Sequence, residues 1–535
     1  MPSKTFMVNP VYRIISAAWL VFASIHAIAS PDAGAPQPAS LFTDHMVLQR
    51  DTPVKIWGLA QPADSVGVEF GGQSVTSTAD ADGRWTAVLK PLTASAASRE
   101  LTVQSAKTGQ KTVLTDVLVG DVWLCSGQSN MQWSVSQSTD GPAVLQTCDQ
   151  PLIRGFVVNS DSSAEPRDKV VGTWNVCAPA KGDQPSPVAS WSGVAYFFGA
   201  RLHAETGVPV GLVMASVGGT AIESWMSPEA LEKSGLGPEV KSRWQSLLEN
   251  LPAKEAEFRE AHAAWEKEQA AAQSEGRQPQ GKRPRPPAGP GSQFQPSALW
   301  NAMILPLVPF QWAGILWYQA EANSSRYLEY PALQASLIEN WRKAFDQPDL
   351  PFYFFQLPGY ARSPGAGAGP GLAFIREAQQ TSLTLPHTGM AVTVDLAVGD
   401  DLHPPNKKDF GERMADIVLA DSGKKPGPVG GPGFSKATPG KNNMLVEFEG
   451  QPELVLKDPD SPRAFLLAGE DRVFHPATAQ LDGRTLVVTS PAVPQPVAVR
   501  YAWFAAPQAV LFGKNGWPAA PFRSDNWKTG EFKYP

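Results

Sequence analysis

Between residues 40 and 112 the chain alternates apolar and polar positions in short runs, at 54–57, 66–70 and 85–89, with the turn Asp80-Ala81-Asp82-Gly83 leading into the last. Alternation with β-branched residues and turn signals predicts a small antiparallel β-sandwich. From residue 117 the pattern changes to continuous apolar runs at wide intervals: 117–124, 208–216, 313–319, 351–357 and 390–396. Helical stretches fall between several of them, at 194–203 and 407–420, and the second places Phe410, Met414, Ile417 and Val418 on one face. Unbroken apolar strands alternating with helices predict an α/β domain, a buried parallel sheet with helices on both sides. Residues 228–295 interrupt it with a charged helical stretch at 253–272 and a tract rich in Pro, Arg and Gln at 276–290, which cannot build a core of its own. After residue 423 short alternating strands return, at 486–489 and 497–503, and predict a C-terminal β-module. The expected organisation is therefore 30–112, 113–424 with its insertion, and 425–535.

Composition changes this picture little. The chain has 535 residues, 42% hydrophobic and 18% charged, a globular balance over more length than one core usually organises. A net charge of -6 offers no electrostatic footprint for a polyanion, so nucleic acid is not an expected partner, and the run Lys282-Arg283-Pro284-Arg285 reads as a solvated loop. The N-terminus adds a leader: Lys4 and Arg13, an apolar stretch at 14–29, and small residues at Ala27 and Ala29 predict a signal peptide over 1–29 and a secreted or periplasmic protein. That stretch is shorter than the roughly 20 residues a membrane span requires, so no membrane insertion is expected once the leader is removed. Of three cysteines, Cys148 and Cys177 lie in turn-rich sequence where they can pair, and Cys125 ends an apolar run as a buried free thiol. No cysteine or histidine spacing implies a metal, and the sequence carries no signal of oligomeric state.

The candidate chemistry begins at Gly127-Gln128-Ser129-Asn130, directly after an apolar strand. Ligands bind beyond the carboxyl ends of strands in an open parallel sheet, and the small residues around Ser129 allow a tight turn that exposes its hydroxyl. Elimination among seven histidines supplies a base. His26 lies in the leader, His45 and His475 in the β-modules, and His262 in the insertion; His203 ends a helix and His387 precedes a strand. His403 follows the last parallel strand beside Asp400 and Asp401, carboxylates able to orient an imidazole and stabilise its protonated form.

Blocks along the chain then carry a resemblance. The run from Val119 to Met131, with Gly127-Gln128-Ser129-Asn130 at its end, resembles the nucleophile block of the sialate O-acetylesterase family, in which G-Q-S-N stands where other SGNH hydrolases have G-D-S. Leu41-Phe42-Thr43-Asp44-His45-Met46-Val47-Leu48-Gln49-Arg50 is similar to that family's N-terminal signature, Ala215-Ser216-Val217-Gly218-Gly219-Thr220 to its glycine block, and Trp317-Tyr318-Gln319-Ala320-Glu321-Ala322-Asn323 to its W-Y-Q-G-E-x-N block. Asp401-Leu402-His403-Pro404, Val499-Arg500-Tyr501-Ala502-Trp503 and Pro521-Phe522-Arg523-Ser524-Asp525 match in turn. The resemblance implies an SGNH-type fold and a cofactor-free serine esterase that removes O-acetyl groups from sugars or glycans, with Ser129 as nucleophile and His403 as base. It adds Glu321 as a third candidate acid behind Asp401 and Asp400. It also implies oxyanion donors from the Ser129 amide, the amide of Gly218 or Gly219, and the side chain of Gln319 or Asn323. Ala320 departs from the pattern, since glycine is usual there. For a sialate, Arg376 is a candidate partner of the substrate carboxylate. Acetylxylan or another acetylated polysaccharide is the alternative substrate. An inactive carbohydrate-binding protein using Trp57, Trp85 and Trp517 is the alternative from another class.

Overall fold

The computed structural model describes residues 34–361, 372–396, 399–425, 429–451, 453–458, 460–462 and 464–534; the expected leader lies outside them. Its central feature is a sheet in which Trp174–Val176, Ile153–Val157, Val210–Ser216, Lys111–Gly127, Gly314–Tyr318, Phe352–Phe355 and Thr388–Ala391 lie side by side in that order. All neighbours are parallel except the edge strand Trp174–Val176. Every residue of Val210–Ser216 and of Gly314–Tyr318 is buried, which explains their unbroken apolar sequence: both faces of the sheet are covered. Adjacent residues mark the two faces. Trp317 packs edge-on against Trp341 of the helix Tyr330–Ala344, and Tyr318 stacks near Phe410 of the helix Lys407–Asp421. The helix Gly193–Thr206 packs on Lys407–Asp421; Ser192 caps its start by accepting from the Ala195 N–H, and Gly207 ends it in the left-handed region.

The strand Lys111–Gly127 serves two layers. Its first half pairs antiparallel with Ser95–Ser105, which continues to Ser65–Phe70 and Gln73–Thr78; its last half is the centre of the parallel sheet. A second antiparallel sheet, Gln37–Pro38, Val54–Leu59 and Arg84–Leu89, turns Trp85, Ala87 and Leu89 inward. Trp85 is core, so one of the three candidate sugar-binding tryptophans is not available to a ligand. At the other end, seven antiparallel strands from Gly433–Pro439 to Phe522–Arg523 enclose their own apolar core.

The insertion is more helical than its sequence pattern indicates. One helix, Gly237–Ser274, runs through Pro252, whose missing N–H leaves a carbonyl that solvent can reach on this exposed element. Among the described residues no helix is long and apolar enough to cross a membrane. All three cysteines are free: Cys148 Sγ faces the Ala178 carbonyl at 3.4 Å and Cys177 Sγ the Cys148 carbonyl at 3.3 Å, so the expected bridge is not formed.

Candidate active site

The site lies at the carboxyl ends of the central strands, where the chain order switches direction across Lys111–Gly127. Gly127 closes that strand at a φ of 136°, and a Cβ there would stand 2.2 Å from the Tyr318 carbonyl oxygen. Only glycine lets the chain turn this close to the neighbouring strand. The Gln128 N–H donates to the same oxygen at 2.9 Å, and the chain passes directly into the short helix Ser129–Gln132. Ser129 is therefore its first residue, with an amide that has no intrahelical acceptor. Gly218, beyond Val210–Ser216, comes so near that a Cβ on it would lie 3.3 Å from Ser129 Cβ.

His403 arrives from the far side, on the loop between Thr388–Ala391 and the helix Lys407–Asp421. Its Nε2 is 2.8 Å from Ser129 Oγ, its main-chain N–H donates to Asp401 Oδ1 at 2.8 Å, and the Trp133 ring stacks on its imidazole with centroids 5.1 Å apart. Burial and then the Lys407 ammonium push its titration below the ordinary histidine range, with Asp401 opposing. A neutral imidazole within hydrogen-bond reach of a serine hydroxyl is the arrangement that activates a nucleophile. The other described ring-side candidates are occupied elsewhere: His45 Nδ1 lies 2.7 Å from Asp116, and His203 Nδ1 2.7 Å from the Val208 carbonyl.

The three candidate acids separate. Asp401 holds the His403 backbone, and Asp400 lies exposed beside it. Glu321 is turned toward Asn130: its Oε1 accepts from Asn130 Nδ2 at 2.7 Å and its Oε2 from the Ala320 N–H at 3.1 Å, and burial pushes its carboxyl up. Ala320 itself has a φ of 166°, outside the left-handed region that favours glycine.

The candidate oxyanion donors also divide. Ser129 and Gly218 lie together, and the Gly218 N–H donates to Gln132 Oε1 at 2.9 Å. Gly219 follows at a φ of 76°. Gln319 is not available: its amide donates to the Thr220 carbonyl and to Asn323 Oδ1, and its oxygen accepts from Tyr330. Asn323 has no exposed surface and donates to Glu223 Oε2 at 2.8 Å. These two amides brace the floor of the site, because a buried amide is stable only when its hydrogens find acceptors. Arg376 is likewise not in the cleft. Fully buried, it donates to the carbonyls of Leu357, Pro358, Phe504 and Ala505, and so fastens the C-terminal module to the α/β layer.

Sequence reasoning did not assign Gln132, Trp133, Lys407 or Gln293 to the site. Gln132 and Trp133 follow Ser129 within about one helical turn, a signal that was present. Gln293 comes from the end of the insertion and donates to the Gly218 carbonyl at 3.0 Å, which no local pattern announces. A polar cavity of about 260 Å³ opens beside Gln132, lined in part by Asn159, Ser160, Ser192 and Ser216. Among the described residues no group of three or more His, Cys, Asp or Glu is placed to hold a metal.

A family model described as carbohydrate esterase, sialic acid-specific acetylesterase, matches residues 119–259 and 295–420. The sialate O-acetylesterases of Mus musculus and Rattus norvegicus are each 30% identical over 90% of this chain and 93% of their own length. The crystal structure of a carbohydrate acetylesterase from Xanthomonas citri superposes with a TM-score of 0.76 at 32% identity, covering 92% of this chain and all of that one.

Proposed function

Because the chain belongs to the family of sialic acid-specific acetylesterases and is a carbohydrate O-acetylesterase, we propose that it works as an SGNH-type serine hydrolase with Ser129 as nucleophile and His403 as general base. The observation that carries this reading is the 2.8 Å contact between Ser129 Oγ and His403 Nε2 at the switch point of the sheet. Ser129 Oγ attacks the acetyl carbonyl while His403 Nε2 takes its proton, then returns it to the departing sugar oxygen. Water, deprotonated by the same nitrogen, releases acetate. The negative oxygen of the tetrahedral intermediate is met by the Ser129 and Gly218 amides, with Gln132 Oε1 now holding the place on Gly218 that this oxygen takes. Asp401 is the acid, acting through its charge on the imidazolium and through its hold on the loop. The polar lining beside Gln132 suits sugar hydroxyls rather than an acyl chain.

An O-acetylated sialic acid is the substrate favoured by the relatives' names. The burial of Arg376 favours a second reading, a neutral acetylated saccharide, because the cation that a sialate carboxylate was expected to meet is occupied elsewhere. We further infer export, from the leader pattern at 1–29. Acetate release from O-acetylated sialic acids, acetylated xylo-oligosaccharides and acetylated pectin fragments decides between the substrates. Preference for the sialates by about tenfold or more in kcat/KM supports the first reading, since a matched charged contact is worth at least ~1.4 kcal/mol. Preference for a neutral saccharide supports the second.

A further inference from the structure

A lysine is sealed beneath the catalytic pair. Lys407 has no exposed surface, although it stands four residues after His403 and opens the helix Lys407–Asp421, where the helix dipole disfavours a cation. Its Nζ donates to Asn130 Oδ1 at 2.7 Å and sits 5.3, 5.8 and 5.9 Å from the ring centroids of Phe410, Tyr318 and Trp133. The Trp133 ring lies against the His403 imidazole. Asn130, the residue after the nucleophile, donates from Nδ2 to Glu321 Oε1 at 2.7 Å and to the Leu402 carbonyl at 3.1 Å. One side chain therefore joins the nucleophile helix, the Glu321 strand end and the histidine loop, and Lys407 fixes which way that side chain faces: an oxygen toward the ammonium forces the amide hydrogens toward Glu321 and Leu402.

We propose that Lys407 is a positioning residue of this esterase: through Asn130 its buried ammonium holds the His403 loop in register with Ser129. The proposal rests on the reading of Ser129 and His403 above. The charged or titratable groups facing this lysine are Glu321, Asp401, His403 and Tyr318, whose phenol burial pushes up so that it stays neutral. Burial pushes the Lys407 ammonium down to about 7, with Glu321 and Asp401 opposing, and below that value the lysine keeps its charge. His403 accepts a proton only when neutral, so a depressed titration extends activity toward acid. Removing the cation raises the His403 titration and moves the acid limb of the rate profile to higher pH.

The test reads His403 directly by imidazole nitrogen NMR of ¹⁵N-histidine-labelled protein, with His403→Gln assigning the signal. Ser129→Ala is the common background, so the titration is measured without reference to turnover. Lys407→Met and the charge-balanced pair Lys407→Met with Glu321→Gln are each expected to raise the His403 midpoint by about one pH unit, and Lys407→Arg to restore it. With Ser129 in place, the acid limb of kcat/KM moves by the same amount. A midpoint unmoved in folded variants overturns the proposal, even where melting temperature falls, since a structural role alone alters stability and not titration. Failure of both methionine variants to fold also overturns it, by making Lys407 a residue of the core. If Ser129→Ala retains full activity, the nucleophile assignment fails, and the titration result still stands as a separate outcome.

Discussion

A serine hydroxyl is a poor nucleophile until a base stands beside it, and for Ser129 the proposed base, His403, is placed by two contacts, one from Nε2 and one from its main-chain N–H. The main-chain contact predicts how the acids differ. Asp401→Asn removes both the charge and the strongest acceptor for the His403 backbone, and is expected to lower kcat by 10²-fold or more, on the order of the loss when a base loses its orienting acid. Asp400→Asn is expected to stay within about threefold, a change of under ~1 kcal/mol. Glu321→Gln acts on Asn130 instead and should change the pH profile more than the limiting rate. Steady-state kinetics of the three variants checks the order. Gly218→Ala is a sharper steric test: its Cβ would press on Ser129 Cβ at 3.3 Å and on Gln132 Oε1 at 3.2 Å. Displacing the nucleophile by a few tenths of an ångström should cost roughly 10- to 100-fold in kcat with the melting temperature nearly unchanged. The meeting of Ser129 and His403, 2.8 Å apart, was legible at this scale because each lies beyond an apolar run. Lys407 was not, because a lysine at a helix start reads as a solvated charge and only the packing of Trp133, Tyr318 and Phe410 over it says otherwise.

At the scale of elements, the apolar runs at 117–124, 208–216, 313–319 and 351–357 translate into strands, whereas the run at 390–396 overlaps the strand Thr388–Ala391 only at its start and ends in the helical turn Val394–Leu396. The helices expected at 194–203 and 407–420 are found as Gly193–Thr206 and Lys407–Asp421. Less legible was that Lys111–Gly127 serves two sheets at once. Alternation over its first half and continuous burial over the rest resemble two separate strands, yet one chain direction satisfies both ladders. The C-terminal sheet hides a further feature, since Arg500 on the strand Ala498–Tyr501 reads as a surface position. It is buried against Asp525 with two contacts of 2.7 and 2.8 Å, donates to the Tyr534 hydroxyl, and lies about 4 Å from the rings of Phe474 and Phe532. Asp525→Ala leaves that guanidinium charged and unpaired in an apolar setting, and is expected to destabilise the protein by about 3–5 kcal/mol. Urea unfolding measures it; a loss below ~1 kcal/mol would mean that water reaches the arginine.

Across the whole molecule, the C-terminal module is joined to the α/β layer by Arg376, and by Arg523 paired bidentately with Glu377 at 2.7 and 2.9 Å. A lone arginine in a helix gives no sequence sign of four carbonyl acceptors contributed by two distant loops, which is why it suggested a substrate contact instead. Arg376→Met abandons those carbonyls in the interior and is expected to cost about 3 kcal/mol or more, while turnover of a small ester at 25 °C stays near wild type. Unchanged stability together with a raised KM for acetylated sialates would return Arg376 to substrate binding. The insertion reaches the site at its end, where Gln293 meets the Gly218 carbonyl, and the family model is interrupted at 260–294, a stretch that includes Gln293.

The proposed mechanism requires Ser129 to form a covalent acetyl-enzyme. The most direct measurement is peptide mapping by mass spectrometry after rapid acid quench from p-nitrophenyl acetate. An acetyl group on Ser129 Oγ, and absent from Ser129→Ala protein that melts normally, is the predicted result. A stable fold with the acetyl group on another side chain, or wild-type turnover by Ser129→Ala, would contradict it.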